Sequence, residues 1–302
     1  MDLYLPIANL SVNAIVIILL GGGVGLLSGM FGVGGGFLTT PLLIVYGIPP
    51  TVAAASSASQ VTGASVSGVF AHFRRAGVDV KMGSVLVAGG ILGAFFGAWL
   101  FRLLQQSGQI DTVIAVVYVL MLGSIGGLMG QESLRAILSG RSGGRARKRR
   151  HHPLVAALPL RTRFYASGLY ISPLAPLLLG FVTGILTMLL GIGGGFILVP
   201  AMIYLLGMST NVVVGTSLFQ TLFVTAVATM VHATTTKAVD IVLAGLLLIG
   251  SVVGAQVGAR LATKVKPEYL RLLLAVMVLL VGGRILLGLV WRPAELFSVE
   301  LS

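Results

Sequence analysis

One half of this chain repeats the other. Gly32-Val33-Gly34-Gly35-Gly36-Phe37, followed by Pro41, returns 159 residues later as Gly191-Ile192-Gly193-Gly194-Gly195-Phe196, followed by Pro200. With one residue inserted, Gly47, Ser57, Gln60 and His72 align with Gly207, Ser217, Gln220 and His232. A second insertion aligns Asp79 with Asp240, and the pair Gly93/Gly97 with Gly254/Gly258. Rare residues kept in one order over so long a stretch mark a duplicated unit. The chain must therefore be built from two related halves.

Composition fixes the medium in which those halves fold. Of 302 residues, 56% are hydrophobic and only 9% charged, where a soluble domain carries about 25% charged residues. Such a chain cannot cover a water-facing surface, which excludes a soluble enzyme, a DNA-binding protein and a secreted disulfide scaffold. Several apolar runs approach the roughly 20 residues that a bilayer crossing needs. The 42 glycines are about twice the usual ~7% share, and in membrane helices glycine permits close approach or a break. There are no cysteines, so disulfides and thiolate chemistry are absent.

Apolar segments fall near 9–31, 36–47, 51–73, 82–104 and 110–134, and again near 173–191, 196–206, 211–232, 239–262 and 268–291. The first has no positive n-region or obvious cleavage site before it, so it reads as a membrane helix rather than a removable signal peptide. Segments 36–47 and 196–206 are too short to span comfortably and read as half-helices or tilted pieces inside the bundle. The expected organisation is a first membrane repeat at 1–134, a basic cytoplasmic linker at 135–172 and a second membrane repeat at 173–302.

Charge orients the copies. The net charge of +12 falls to +3 once Arg135, Arg141, Arg145, Arg147, Lys148, Arg149, Arg150, Arg161 and Arg163 of the linker are set aside. With no aromatic interleaving, that cluster reads as a cytoplasmic topology signal and not as a nucleic-acid site. Arg74, Arg75 and Lys81 follow the third segment of the first copy, whereas Arg260, Lys264, Lys266 and Arg271 follow the fourth segment of the second. If all five segments of each copy cross, every basic cluster lies on one side with the linker. If the short segments only re-enter, the 260–271 cluster lands outside. The fold class expected is thus an all-α polytopic membrane protein, with about ten helices or half-helices in two inverted five-segment repeats. Many secondary transporters are built this way, with a site near the midplane.

Three consecutive glycines cannot hold a regular helix well, so the backbone should unwind at both glycine segments. An unwound segment leading into a half-helix presents N–H groups and the positive end of the helix dipole. Two such ends make a cradle for an oxyanion, which assigns Gly34, Gly35, Gly36, Gly193, Gly194 and Gly195 to a substrate site. The alternative is that these glycines only permit close packing. No Lys-Ser/Thr pair follows them, so neither segment is a phosphate loop.

Ser57 and Gln60 share one helix face, as do Ser217 and Gln220. Together with Thr216 they supply neutral hydrogen-bonding groups that could replace water around the anion. A bulky amide inside a span needs a partner, which singles out Gln60 and Gln220; any one hydroxyl could equally be packing glue. His72 and His232 close the same helices and are candidates for gating or proton relay, beside the plainer role of interfacial histidines. Asp79 and Asp240 read as helix N-caps, and Gly93/Gly97 and Gly254/Gly258 as packing motifs. No catalytic set, metal-ligand cluster or cofactor motif emerges: Asp111 and Glu268, for example, lie at segment ends.

Two copies of Gly-x-Gly-Gly-Gly-Phe-x3-Pro, each trailed by a hydroxyl-rich helix, closely resemble the TauE/SafE family of sulfite exporters. His72-Phe73-Arg74-Arg75-Ala76-Gly77-Val78-Asp79 is similar to that family's loop after the third helix, and Gly215-Thr216-Ser217-Leu218 to its second-copy helix. The resemblance covers nearly the whole chain except 135–172. It implies a multi-pass transporter of the prokaryotic inner membrane moving sulfite or a small organosulfonate, without an enzymatic activity or a cofactor. The partners expected for the chain are that anion, the lipid bilayer and a second copy of itself in a homodimer, with no nucleic acid. Competing readings are an anion channel using the same cradle, and a non-transporting scaffold that binds lipid or a partner through the linker.

Overall fold

The computed structural model describes residues 2–31, 35–74, 77–138, 162–261 and 267–290. Gly34, Arg75, His151, His152, Lys264, Lys266 and the linker from 139 to 161 lie outside the described residues. The helices are α1 (Ala14–Phe31), α2 (Gly36–Val45), α3 (Pro50–Phe73), α4 (Val80–Gln106), α5 (Ile110–Leu138), α6 (Leu174–Leu190), α7 (Gly195–Tyr204), α8 (Thr210–Val231), α9 (Ile241–Leu261) and α10 (Pro267–Val290). The protein is an all-α polytopic membrane protein. Helices α4, α5, α8, α9 and α10 are long and apolar enough to cross a membrane. Helices α2 and α7, with ten residues each, reach only about 15 Å at 1.5 Å per residue, half the hydrocarbon thickness.

Two small hairpins were not legible in the hydropathy pattern. Strands β1 (Asp2–Leu5) and β2 (Leu10–Asn13) pair before α1, and β3 (Thr162–Phe164) and β4 (Leu169–Ile171) pair before α6. The first displaces the start of α1 from about residue 9 to Ala14. The second, with the extension of α5 to Leu138, orders both ends of the stretch read as linker. An isolated two-stranded hairpin is marginal in water, and these are held by packing. Leu5 and Val12 lie against Leu43 of α2 and Leu243 and Leu247 of α9. Phe164, Leu169 and Ile171 lie against Met82 and Leu86 of α4 and Met202 of α7. The first hairpin thus rests on α2 and α9, and the second on α4 and α7.

Glycine sets the closest helix contacts. Helix α1 lies along α9, where a Cβ on Gly21, Gly25 or Gly29 would fall 2.6, 2.3 or 2.2 Å from the carbonyl oxygens of Leu247, Ser251 and Ala255. Reciprocally, Gly250, Gly254 and Gly258 face the backbone of Ile18, Gly22 and Leu26. Helix α4 meets α6 in the same manner, with Gly89 and Gly93 against Leu177 and Phe181. In both pairs the contacts advance together in sequence, so the helices run parallel. The spacing of four keeps these glycines on one face, the small-residue seam of membrane helices. The glycine pairs read as packing motifs are part of these seams.

Helices α3 and α8 cross the other way. Ser59 Oγ lies 3.5 Å from Thr229 Oγ1, and Thr62 Oγ1 donates to Thr225 Oγ1 at 2.9 Å; Gly68 faces Leu218. As one number rises the other falls, so α3 and α8 are antiparallel. Helix α3 contacts α2, α5, α6, α8 and α9, which shields its hydroxyls from lipid.

The aspartates cap as the sequence indicates, and also tie the halves together. Asp79 accepts from Met82 N–H at 3.0 Å at the start of α4, and from the N–H and hydroxyl of Ser167 in the second hairpin. Its own N–H donates to Thr216 Oγ1 at 2.9 Å. Asp240 accepts from Val242 and Leu243 N–H and from Ile7 N–H of the first hairpin, and its N–H donates to Ser56 Oγ at 3.1 Å.

Substituting Gly93→Ala drives a methyl group to 2.0 Å from Phe181 O and should cost about 1–3 kcal/mol through overpacking. Gly23→Ala, with nothing within 4 Å, should leave the melting temperature in detergent unchanged. Equal melting temperatures for the two variants would contradict the seam.

Candidate functional site

The second glycine segment is unwound. Helix α6 ends at Leu190, and Gly191, Gly193 and Gly194 take φ of 69°, 74° and 75° before α7 begins. A side chain would strain this left-handed backbone, and at Gly191 a Cβ would also lie 2.1 Å from Ala54 O. Thr221 Oγ1 donates to Gly193 O at 2.6 Å, and the buried Tyr118 hydroxyl donates to Leu190 O. In the first copy Gly35 lies in the right-handed region with φ −68° and leads into α2.

The two short helices meet at their starts. A Cβ on Gly36 would fall 2.8 Å from the carbonyl oxygens of both Gly191 and Ile192. Phe37 and Phe196, in the first turns of α2 and α7, stack face to face with centroids 4.3 Å apart and planes 2° from parallel. The amino-terminal ends of the two short helices therefore converge, with their electropositive dipole ends together.

Each glycine segment also faces the glutamine of its own half. The Cβ position of Gly35 lies 3.5 Å from Gln60 Nε2, with Val24 and Ser28 beside it. That of Gly194 lies 3.7 Å from Gln220 Oε1, with Thr183 and Thr187 beside it. Gln60 and Gln220 are 1% and 0% exposed, so their hydrogen bonds cannot be made to bulk water. Gln60 Oε1 accepts from Thr39 at 3.2 Å while its Nε2 has no partner. Gln220 Nε2 donates to Thr183 Oγ1 at 3.5 Å while its Oε1 has no partner. Each orphaned atom costs about 1–3 kcal/mol when buried, and a ligand is one way to recover it.

The other expected site residues divide. Ser57 is fully buried with an unpartnered hydroxyl, and Ser217 is buried. Thr216 uses its hydroxyl on Asp79 N–H, at the start of α4. His232 is buried at the end of α8, its Nε2 2.9 Å from Met188 O and its ring edge-on to Phe101 at 5.1 Å. His72 is half-buried near Gly215, and its carbonyl accepts from Gly77 N–H. The histidines thus sit in unlike surroundings. Thr39, Thr183 and Thr187 went unnoticed in the sequence because hydroxyls are common in membrane helices; the four-residue spacing of Thr183 and Thr187, on one face of α6, was the available signal. The cleft of about 270 Å³ beside Arg284, between α2, α5 and α10, contains none of these residues.

Among the described residues no cluster of His, Asp or Glu could hold a metal ion. A bundle with two converging broken segments and buried neutral polar groups belongs to the class of membrane transporters. The chain is a member of the sulfite exporter TauE/SafE family, whose model matches residues 17–285. It is 30% identical over 276 residues to the probable membrane transporter protein YjnA of Bacillus subtilis (strain 168), covering 90% of this chain and all of that one. It is also 30% identical over 254 residues to a probable membrane transporter protein of Xylella fastidiosa (strain Temecula1), covering 83% of this chain and 86% of that one. No solved structure matches it. The protein is a multi-pass membrane transporter of the cell membrane.

Thr221→Val removes the bond to Gly193 O and should lower stability by about 1–3 kcal/mol, read as a lower melting temperature in detergent. Thr221→Ser, which keeps the hydroxyl, should restore most of it.

Proposed function

We propose that this transporter moves a small sulfur-containing anion, sulfite or an organosulfonate, by alternating access around the two glycine segments. The observation that carries the reading is the pair of buried glutamine amides at matched positions, each with an unpartnered polar atom facing a glycine break. Gly34, Gly35, Gly36, Ser57 and Gln60 form one half-site, and Gly193, Gly194, Gly195, Ser217 and Gln220 the other. Neutral amides, hydroxyls and helix ends hold an oxyanion without the deep trap that a buried arginine would create.

Opposite orientations of the two halves are supported by the antiparallel course of α3 and α8. These helices are equivalents in the duplication, and copies in the same orientation would run them in parallel. The halves are then 1–134 and 173–302, with the basic segment between them on the cytoplasmic side. The second hairpin packs with α4 and α7 and joins the second membrane half.

Export is the direction favoured electrically, since an anion leaving a negative interior gains about 2.3 kcal/mol per charge at 100 mV. The Phe37–Phe196 stack brings the first turns of α2 and α7 into contact, which favours a carrier over an open pore.

The test is flux in proteoliposomes. Gln220→Ala and Gln60→Ala should each reduce sulfite flux about tenfold or more while the protein stays folded and inserted. Flux should saturate and show exchange with labelled substrate, whereas ohmic single-channel current would favour a channel. Unchanged flux in both variants would remove the glutamines from the site.

A further inference from the structure

The two glutamines leave different atoms unpartnered beside their glycines. At Gly194 the hydroxyl protons are committed to backbone: Thr183 Oγ1 lies 2.9 Å from Gly180 O and 3.0 Å from Leu179 O, and Thr187 Oγ1 donates to Thr183 O at 2.8 Å. Thr183 can therefore only accept from Gln220, which fixes Nε2 towards Thr183 and leaves Oε1 towards Gly194. The side chains of this half-site therefore turn only lone pairs towards Gly194. In the first half Val24 stands where the second has Thr183, and Thr39 where the second has Leu198. Thr39 Oγ1 lies 3.1 Å from Gly35 O and 3.2 Å from Gln60 Oε1, and Nε2 is the Gln60 amide atom that lies towards Gly35 without a partner.

We propose that the pocket at Gly194, framed by Thr183, Thr187 and Gln220, binds an electropositive group, an alkali cation or the ammonium of an aminosulfonate, while its counterpart at Gly35 receives the anion. The inference rests on the transport reading above. Hard monovalent cations are held by neutral oxygens in broken-helix transporters, and no carboxylate is required. A helix dipole alone would repel such a group, which is why the orphaned Gln220 oxygen, fully buried and aimed into the pocket, carries the argument. A monovalent cation that travels with a monovalent anion cancels its charge. The membrane potential then ceases to set direction, and the chemical gradients decide it.

The experiment follows the melting temperature of the purified full chain in detergent. Sodium chloride is titrated against choline chloride at constant ionic strength. Taurine is then compared with ethanesulfonate, which lacks the ammonium, in choline chloride. The expected result is a melting temperature that rises with the logarithm of concentration above the dissociation constant, for sodium or for taurine beyond its control. A sodium response identifies an ion and a taurine response the substrate's own ammonium. Gln220→Met and Thr187→Val should each weaken that response about tenfold, and either variant suffices if the other does not fold. The inference is overturned if neither sodium nor taurine exceeds its control, or if both variants respond as wild type. Stabilisation by sulfite and ethanesulfonate in choline chloride reports separately on the anion. If it persists while the cation response is absent, only this inference fails; a sodium response with no sulfur anion bound sinks the substrate assignment instead.

Discussion

The bundle depends on backbone lying directly against backbone. In a bilayer, lipid tails are as apolar as leucine, so helices gain little by hiding apolar surface from one another and associate through close packing. Glycine at every fourth position of α1, α4 and α9 removes the side chains that would hold the helices apart. Both seams join one half of the chain to the other, α1 to α9 and α4 to α6, so neither half completes its own packing. The aspartate caps reinforce this, because each ties the start of a long helix to a hairpin and a hydroxyl of the opposite half.

That arrangement makes room for polarity. With the seams closed, α3 packs against five helices, and its Ser56, Ser57, Gln60 and Ser65 are buried and escape the cost of facing lipid. The short helices α2 and α7 can then begin halfway, since their first residues, Gly36 and Phe37 and Gly195 and Phe196, are buried. Their first turns meet through the Phe37–Phe196 stack, which places two helix ends at one level and brings the glycine segments within reach of each other. The hydroxyls bridging α3 and α8 are mostly bonded, whereas Ser57 Oγ, Gln60 Nε2 and Gln220 Oε1 are left over. In a native interior such atoms are uncommon, and the two glutamines hold theirs at equivalent positions, one beside each glycine segment.

The amino-acid sequence by itself determined the medium, the all-helical class and the family. These depend on local quantities: apolar run length, residue spacing and identities in order, such as Gly-x-Gly-Gly-Gly-Phe-x3-Pro twice over. Gln60 and Gln220 were legible as candidates because an amide in an apolar span is costly wherever it lies, and Asp79 and Asp240 as caps because capping is local. The hairpins were not legible, because four-residue strands such as Asp2–Leu5 carry too little pattern and are held by contacts with α2, α4, α7 and α9. Only the tertiary structure decided that Thr216 and Ser56 serve the aspartates' backbone, that His232 bonds to Met188, and that the two glutamines present opposite atoms. Each of these is a matter of which partner a hydrogen-bonding group finds, and the partner comes from a helix distant in sequence. A one-dimensional pattern specifies what a residue can bond; the packed bundle specifies what remains within reach.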